Sequence, residues 1–177
     1  MILNVLRILN ADLKALAGGS LLIRLKCFLL SHSFHMVCWY RLGSGLAEVP
    51  VVGRVCRPLI EYFIRVFFAS DISLKSKIGP GLVIMHGHDI VIGANVVIGE
   101  RCKIFNGVTL GNKNTEIGFN LQPKIGNDVV LSTGAKVLGD LFVGSGVIVG
   151  ANSVVLKSVP DNSLAVGVPA VIKSRSV

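Results

Sequence analysis

A mainly β solenoid of hexapeptide repeats behind an α-helical N-terminal region is the fold class the sequence predicts, and three observations predict it. From Ile72 to Val159 an Ile, Val or Leu recurs every six residues. Glycine follows that apolar residue at 79, 93, 99, 111, 126, 144 and 150, where a turn can use its freedom at positive φ. Residues 1–70 lack the six-residue period and repeat at helical spacing instead. A helix returns its apolar face at 3.6 residues and a half-buried strand at two, so a period of six demands short flat segments joined by turns.

In the helical region, Val5, Leu6, Leu9, Leu13 and Leu16 fall on one face, and Gly18-Gly19 ends that helix. Leu21 to Leu30 and Phe34 to Leu46 predict two more helices, and Val51 to Ala69 a fourth that leads into the repeats. Eight Lys or Arg here oppose only Asp12, Glu48 and Glu61, so most of the chain's +8 net charge sits in residues 1–70. Helices that are both greasy and basic fit two roles: a cap or subunit contact, or peripheral contact with an anionic membrane surface. No uncharged apolar stretch reaches ~18 residues, so a spanning helix is not expected. The opening MILNVLRILNADLK places Arg7, Asp12 and Lys14 inside any apolar core, so no signal peptide is expected. The cytoplasm, including the inner face of the membrane, is the expected compartment.

Residues 71–177 form the second region. Ile72, Ile78 and Ile84 make a first run; Ile92, Ile98, Ile104 and Leu110 a second, shifted by two residues; Ile125, Leu131, Val137, Val143, Val149 and Val155 a third. Each six-residue unit is one side of a triangular coil, which gives roughly five turns. One turn cannot bury its own apolar residues, so only the stack makes a core. A sandwich of short strands would need alternation and hairpin turns every 8 to 12 residues, which the steady phase argues against.

The basic balance, 18 Lys plus Arg against 10 Asp plus Glu, suits an anionic partner such as a nucleotide cofactor or a membrane surface. Without a basic block or an RNA-binding motif, nucleic acid is not expected. Cys27, Cys38, Cys56 and Cys102 show neither CxxC pairing nor metal-ligand spacing, so packed thiols and no metal site are expected.

Chemistry concentrates where the period breaks, at Met85-His86-Gly87-His88-Asp89 and from Asn112 to Lys124. The two histidines either bond locally at a turn or supply a general base for a hydroxyl nucleophile, since a histidine near neutral pKa suits that task.

From Asp71 to Val171 the chain resembles the catalytic domain of the hexapeptide-repeat acetyltransferases, particularly the serine acetyltransferase branch. The phrases that carry it include Ile78-Gly79-Pro80-Gly81, His86 followed by Ile90-Val91-Ile92-Gly93, Gly107-Val108-Thr109-Leu110-Gly111, Pro123-Lys124-Ile125-Gly126, Gly134-Ala135-Lys136-Val137-Leu138-Gly139 and Gly167-Val168-Pro169-Ala170. Phe34-His35 with Tyr40-Arg41-Leu42 resembles the last helices of that family's N-terminal region. The resemblance implies a left-handed parallel β-helix, a homotrimer or paired trimers, and direct acetyl transfer from acetyl-CoA to an acceptor hydroxyl. It implies His86 as general base and Asp71, 15 residues earlier, as its orienter. Gly111, Ala135, Ala151 and Gly167 would line the groove for the pantetheine arm. Lys136, Lys157, Lys173 and Arg175 are candidates, by charge alone, for the cofactor phosphates.

Three departures from the branch change the expected acceptor. An acidic residue that precedes the catalytic histidine and helps hold the serine ammonium is Met85 here. An Arg-His pair that helps hold the carboxylate is Leu121-Gln122, and no Arg-Asp-Pro-Ala phrase lies upstream of Phe34. Serine buried without those counter-charges would carry an unpaired ammonium and carboxylate, which is costly. The expected acceptor is therefore a sugar of a surface polysaccharide or its carrier-linked precursor, met by Met85, His88, Asn106 and Gln122. The outline also resembles acetyltransferases of exopolysaccharide and colanic-acid pathways. Serine O-acetylation is the alternative, and a non-catalytic trimeric scaffold the second. A zinc carbonic anhydrase on this solenoid needs three histidines, and the repeat holds only His86 and His88.

Overall fold

The structure, a computed structural model, describes residues 2–114 and 121–174. Four helices come first: α1 (Ile2–Ala17), α2 (Leu21–Leu30), α3 (His32–Ala47) and α4 (Pro50–Phe68). Ser20 and Ser31 cap α2 and α3, each hydroxyl accepting from the backbone N–H three residues on. Proline opens α4 at a position where its missing N–H costs nothing, and Ala69 ends it in the left-handed region at φ 45°.

Short strands then wind in triangles. The first turn is β1 (Asp71–Ile72), β2 (Lys77–Ile78) and β3 (Val83–Met85); the second is β4 (Val91–Ile92), β5 (Val97–Ile98) and β6 (Lys103–Phe105). The third is β7 (Thr109–Gly111), β8 (Lys124–Ile125) and β9 (Val130–Leu131), and the fourth β10 (Lys136–Leu138), β11 (Phe142–Val143) and β12 (Ile148–Val149). A partial fifth turn holds β13 (Val154–Val155) and β14 (Ser163–Val166), closed by antiparallel β15 (Val171–Ser174). Three parallel sheets result, ordered β1-β4-β7-β10-β13, β2-β5-β8-β11 and β3-β6-β9-β12-β14-β15. The chain is thus a left-handed parallel β-helix with an N-terminal helical region.

The six-residue anchors stack in register. Ile72, Ile92, Leu110, Val137 and Val155 form one column, and Ile84, Ile104, Leu131, Val149 and Ala165 another. All ten are buried, so each anchor covers the next and the core is a continuous ladder. One corner requires glycine for close approach. A Cβ on Gly79 would sit 2.7 Å from the backbone of Gly99, and one on Gly99 2.6 Å from Gly126.

Two turns are longer than the rest, and both excesses fall at the breaks in the sequence. Ile92 to Leu110 and Val137 to Val155 each span 18 residues, whereas Ile72 to Ile92 spans 20 and Leu110 to Val137 spans 27. The two extra residues of the first turn are accommodated at the corner after β3, and the nine of the third turn follow β7.

A buried ion pair joins the helices to the first turn. Arg41 on α3 donates to both carboxylate oxygens of Asp12 on α1, at 2.9 and 3.2 Å, and to the carbonyls of Ile78 and Gly79 at 2.5 and 2.7 Å. Asp12 also accepts the backbone N–H groups of Gly81 and Leu82 at 2.8 Å each. Both side chains are inaccessible or nearly so. A pair taken this far from water is tolerated only where such partners satisfy it, and here they do.

Candidate active site

The corner after β3 reverses the chain within a few residues. His86 and Asp89 both adopt left-handed conformations, at φ 54° and 55°, and the N–H of His88 closes on the carbonyl of His86 at 2.8 Å. Polar side chains tolerate that region better than β-branched ones, and it leaves the His86 and His88 side chains exposed.

The corner is stapled from three sides. Gly87 donates to the hydroxyl of Ser33 on α3 at 2.9 Å, and a Cβ there would lie 2.8 Å from the buried Met36 side chain. Asp89 donates to the carbonyl of Ala69 at 2.8 Å, and the N–H of Ile90 reaches the Ser70 hydroxyl. From the next turn Gly107 donates to the carbonyl of His88 at 3.3 Å. The helices therefore act as the wall that holds His86 in place.

Asp71 opens β1, with its N–H bonded to the carbonyl of Ile90. Its carboxylate is not bonded to the His86 ring; Arg65, in the last turn of α4, donates to it at 2.6 Å. Both partners are about half exposed, so water screens the pair, and the guanidinium pKa is raised by the carboxylate beside it. Arg65 is a neighbour that spacing within the repeats had no means to show.

The remaining candidates scatter. Met85 is half-buried and pairs with Phe105 across β3 and β6. The Asn106 carboxamide accepts from Thr133 at 3.2 Å one turn up, and Gln122 packs its amide against Gly93. Ala151, Gly167, Lys157 and Lys173 are exposed, and Gly111 is half-buried. Two of the cofactor candidates are engaged within the chain. Ala135 faces the core with no exposed surface, its N–H donating to Ser132 and its carbonyl accepting from Thr109. The Lys136 ammonium donates to the Gly107 carbonyl at 2.5 Å and the Thr109 hydroxyl at 3.0 Å. Arg175 and residues 115–120 of the polar excursion lie outside the described residues.

No protein-family model matches the chain. Known proteins do. A soybean serine acetyltransferase complexed with serine superposes with a TM-score of 0.84 at 33% identity, covering 96% of this chain and 69% of that one. The chain belongs to the serine acetyltransferase family. A Brucella abortus serine acetyltransferase in complex with coenzyme A gives a TM-score of 0.87 at 29% identity, covering 97% of this chain and 68% of that one. The serine acetyltransferase of Synechococcus elongatus is 34% identical over 154 residues, 86% of this chain. That span is 61% of the cyanobacterial protein, so the chain corresponds to about three-fifths of this relative's length.

These relatives overturn the polysaccharide reading, since they are serine acetyltransferases and not exopolysaccharide enzymes. The reason is visible at the site. The cost assigned to an unclamped zwitterion assumed burial, but His86, His88 and Leu121 are open to solvent, where an ammonium and a carboxylate keep much of their hydration.

Proposed function

We propose that the chain transfers the acetyl group of acetyl-CoA to the hydroxyl of serine. The observation that carries this reading is the superposition of nearly the whole chain on a serine acetyltransferase complexed with serine. His86 stands at an exposed, rigidly held corner, as a base that must meet a diffusing hydroxyl should. Its imidazole takes the serine hydroxyl proton as the oxygen attacks the thioester carbonyl. The tetrahedral adduct then collapses, the carbon–sulfur bond breaks, and the thiol of CoA leaves with the proton returned from His86. No acyl-enzyme is needed.

Asp71 orients the imidazole in this scheme. Its carboxylate must then leave the half-exposed pair with Arg65 to reach the ring. The active species in this reading is a homotrimer.

Mass spectrometry after mixing the chain with acetyl-CoA and L-serine should detect O-acetylserine in step with thiol release. Absence of that product, with the fold verified, rejects the reading. His86→Ala should lower the rate about 10²- to 10⁴-fold, the range for loss of a general base, while the circular dichroism spectrum is kept. Undiminished turnover would remove His86 from the mechanism.

A further inference from the structure

α2 is the one helix of the four with no buried residue. Leu21, Leu22, Leu25 and Leu30 are 79, 80, 54 and 73% exposed. At roughly 100° per residue, Leu21, Leu22, Leu25 and Leu29 fall within an arc of about 100°, with Lys26 at its edge. The inner side of the helix holds the half-buried Cys27 and Arg24, whose Nε donates to the Gly18 carbonyl, while Phe28 borders the leucine arc, exposed, with its ring 6.3 Å from that of Phe34. Beside α2 runs an open apolar groove of about 520 Å³, lined by Leu6, Leu9, Phe28, Leu29, Trp39 and Leu42. A continuous apolar surface of this kind is rare on a soluble protein unless something covers it.

Charge indicates what covers it. Exposed Arg7, Lys14 and Lys26 lie on α1 and α2, and the only acid of these two helices, Asp12, is buried against Arg41. A symmetric antiparallel pairing of α2 with a second copy, centred on residues 25 and 26, would bring two Lys26 ammonium groups together. An anionic, deformable apolar surface satisfies both halves of the patch.

We propose that α2 and the adjoining face of α1 dock on an anionic lipid bilayer, with the leucines in the acyl boundary and Arg7, Lys14 and Lys26 at the headgroups. The contact is interfacial. No single helix among the described residues is long and apolar enough to cross a membrane, and α2 with α3 is bent by 78°. α3 is committed elsewhere, because its Tyr40 and Arg41 are buried against the first turn of the solenoid.

The test is flotation of the intact chain with vesicles of phosphatidylcholine alone or with phosphatidylglycerol added, at low and high salt. The expected result is binding to the anionic vesicles only, weakened by salt. Leu21→Glu, Leu22→Glu and Leu25→Glu combined should reduce partitioning about tenfold or more with an unchanged thermal midpoint, because these side chains are mostly exposed in the fold. The proposal is overturned if the intact chain fails to float with anionic vesicles, or if the triple variant floats as well as the parent. It is equally overturned if the triple variant changes only the oligomeric mass, which would assign the patch to a second copy.

Discussion

The solenoid and the helices bury apolar residues in opposite ways. Along the ladder every anchor is covered by the one a turn above or below, so the core is repeated contact between like residues. The helices leave much of their apolar surface outside: all of α2, and on α4 the row Val51, Val55, Leu59, Tyr62 and Val66. What fixes α1 and α3 to the solenoid includes a polar cluster at one point, Asp12 with Arg41 and the first-turn backbone. A region secured by a local polar network should be sensitive to a single atom group, whereas a ladder distributes its stability over many equivalent contacts.

The largest effect expected from that contrast is at Asp12. Asp12→Ala removes the carboxylate, strands the Arg41 guanidinium and frees the N–H groups of Gly81 and Leu82, at a cost of about 3–5 kcal/mol. Urea unfolding followed by circular dichroism should show the helices lost at lower denaturant than the strands. A variant that melts in one transition at the parental midpoint would break the comparison. Replacing both partners by apolar residues, as in Asp12→Leu with Arg41→Met, should recover part of the loss, because no charge is then left buried.

Next in size is the ladder. Leu131→Ala deletes a fully buried anchor between Ile104 and Val149 and should cost about 2–5 kcal/mol. The same truncation at Leu22, which is 80% exposed, should stay within about 0.5 kcal/mol. Equal losses at the two positions would mean that α2 is covered in solution by something that contributes to folding.

The ladder was legible in the sequence because its period comes directly from backbone geometry: six residues per side place Ile72, Ile92 and Leu110 over one another whatever surrounds them. The breaks were legible for the same reason, as extra residues in the first and third turns. Gly18-Gly19 marked the end of α1 and the apolar run marked α2, whereas α3 begins at His32 and not at Phe34, because the Ser31 hydroxyl caps it two residues earlier than the apolar pattern starts. What was not legible is the pairing across regions. Asp12 and Arg41 are 29 residues apart, and Arg65 reaches Asp71 from the end of α4. One signal was available: Asp12 is the only acid in the first 47 residues, and a lone carboxylate on an apolar helix calls for a buried cation. The acceptor was misread because side-chain charge is visible in a sequence and solvent exposure is not.

A smaller effect tests the corner where the two regions meet. Met85 precedes His86 and is half-buried beside the exposed histidine. With serine as the proposed acceptor, Met85→Asp would place a carboxylate there for its ammonium, and an exposed pair of this type is worth about 0.2–1 kcal/mol, or roughly 1.5- to 5-fold in KM for serine. kcat should change little, because the added contact is equal in ground and transition states. An unchanged KM would place the ammonium on another side of His86.

The smallest effect reads the helical packing through a single thiol. Cys38 lies on α3 in the apolar groove, where burial first and the Asp12 carboxylate second push its thiol up to about 11. A raised thiol pKa means less thiolate at a given pH, so at pH 8 roughly one Cys38 in a thousand is ionised, against about a quarter of a free cysteine. Alkylation by iodoacetamide, followed by peptide mass spectrometry, should therefore be slow at Cys38 and accelerate as pH rises towards 11. Asp12→Ala removes the nearby negative charge, which alone would favour the thiolate slightly, and also loosens α1 from α3, which restores water to the thiol. Both changes lower the pKa, so labelling at pH 8 should speed up in that variant. Labelling of the parent at the rate of a free thiol would show that α1 does not cover Cys38, and the polar anchor at Asp12 would then fail as the origin of the helical order.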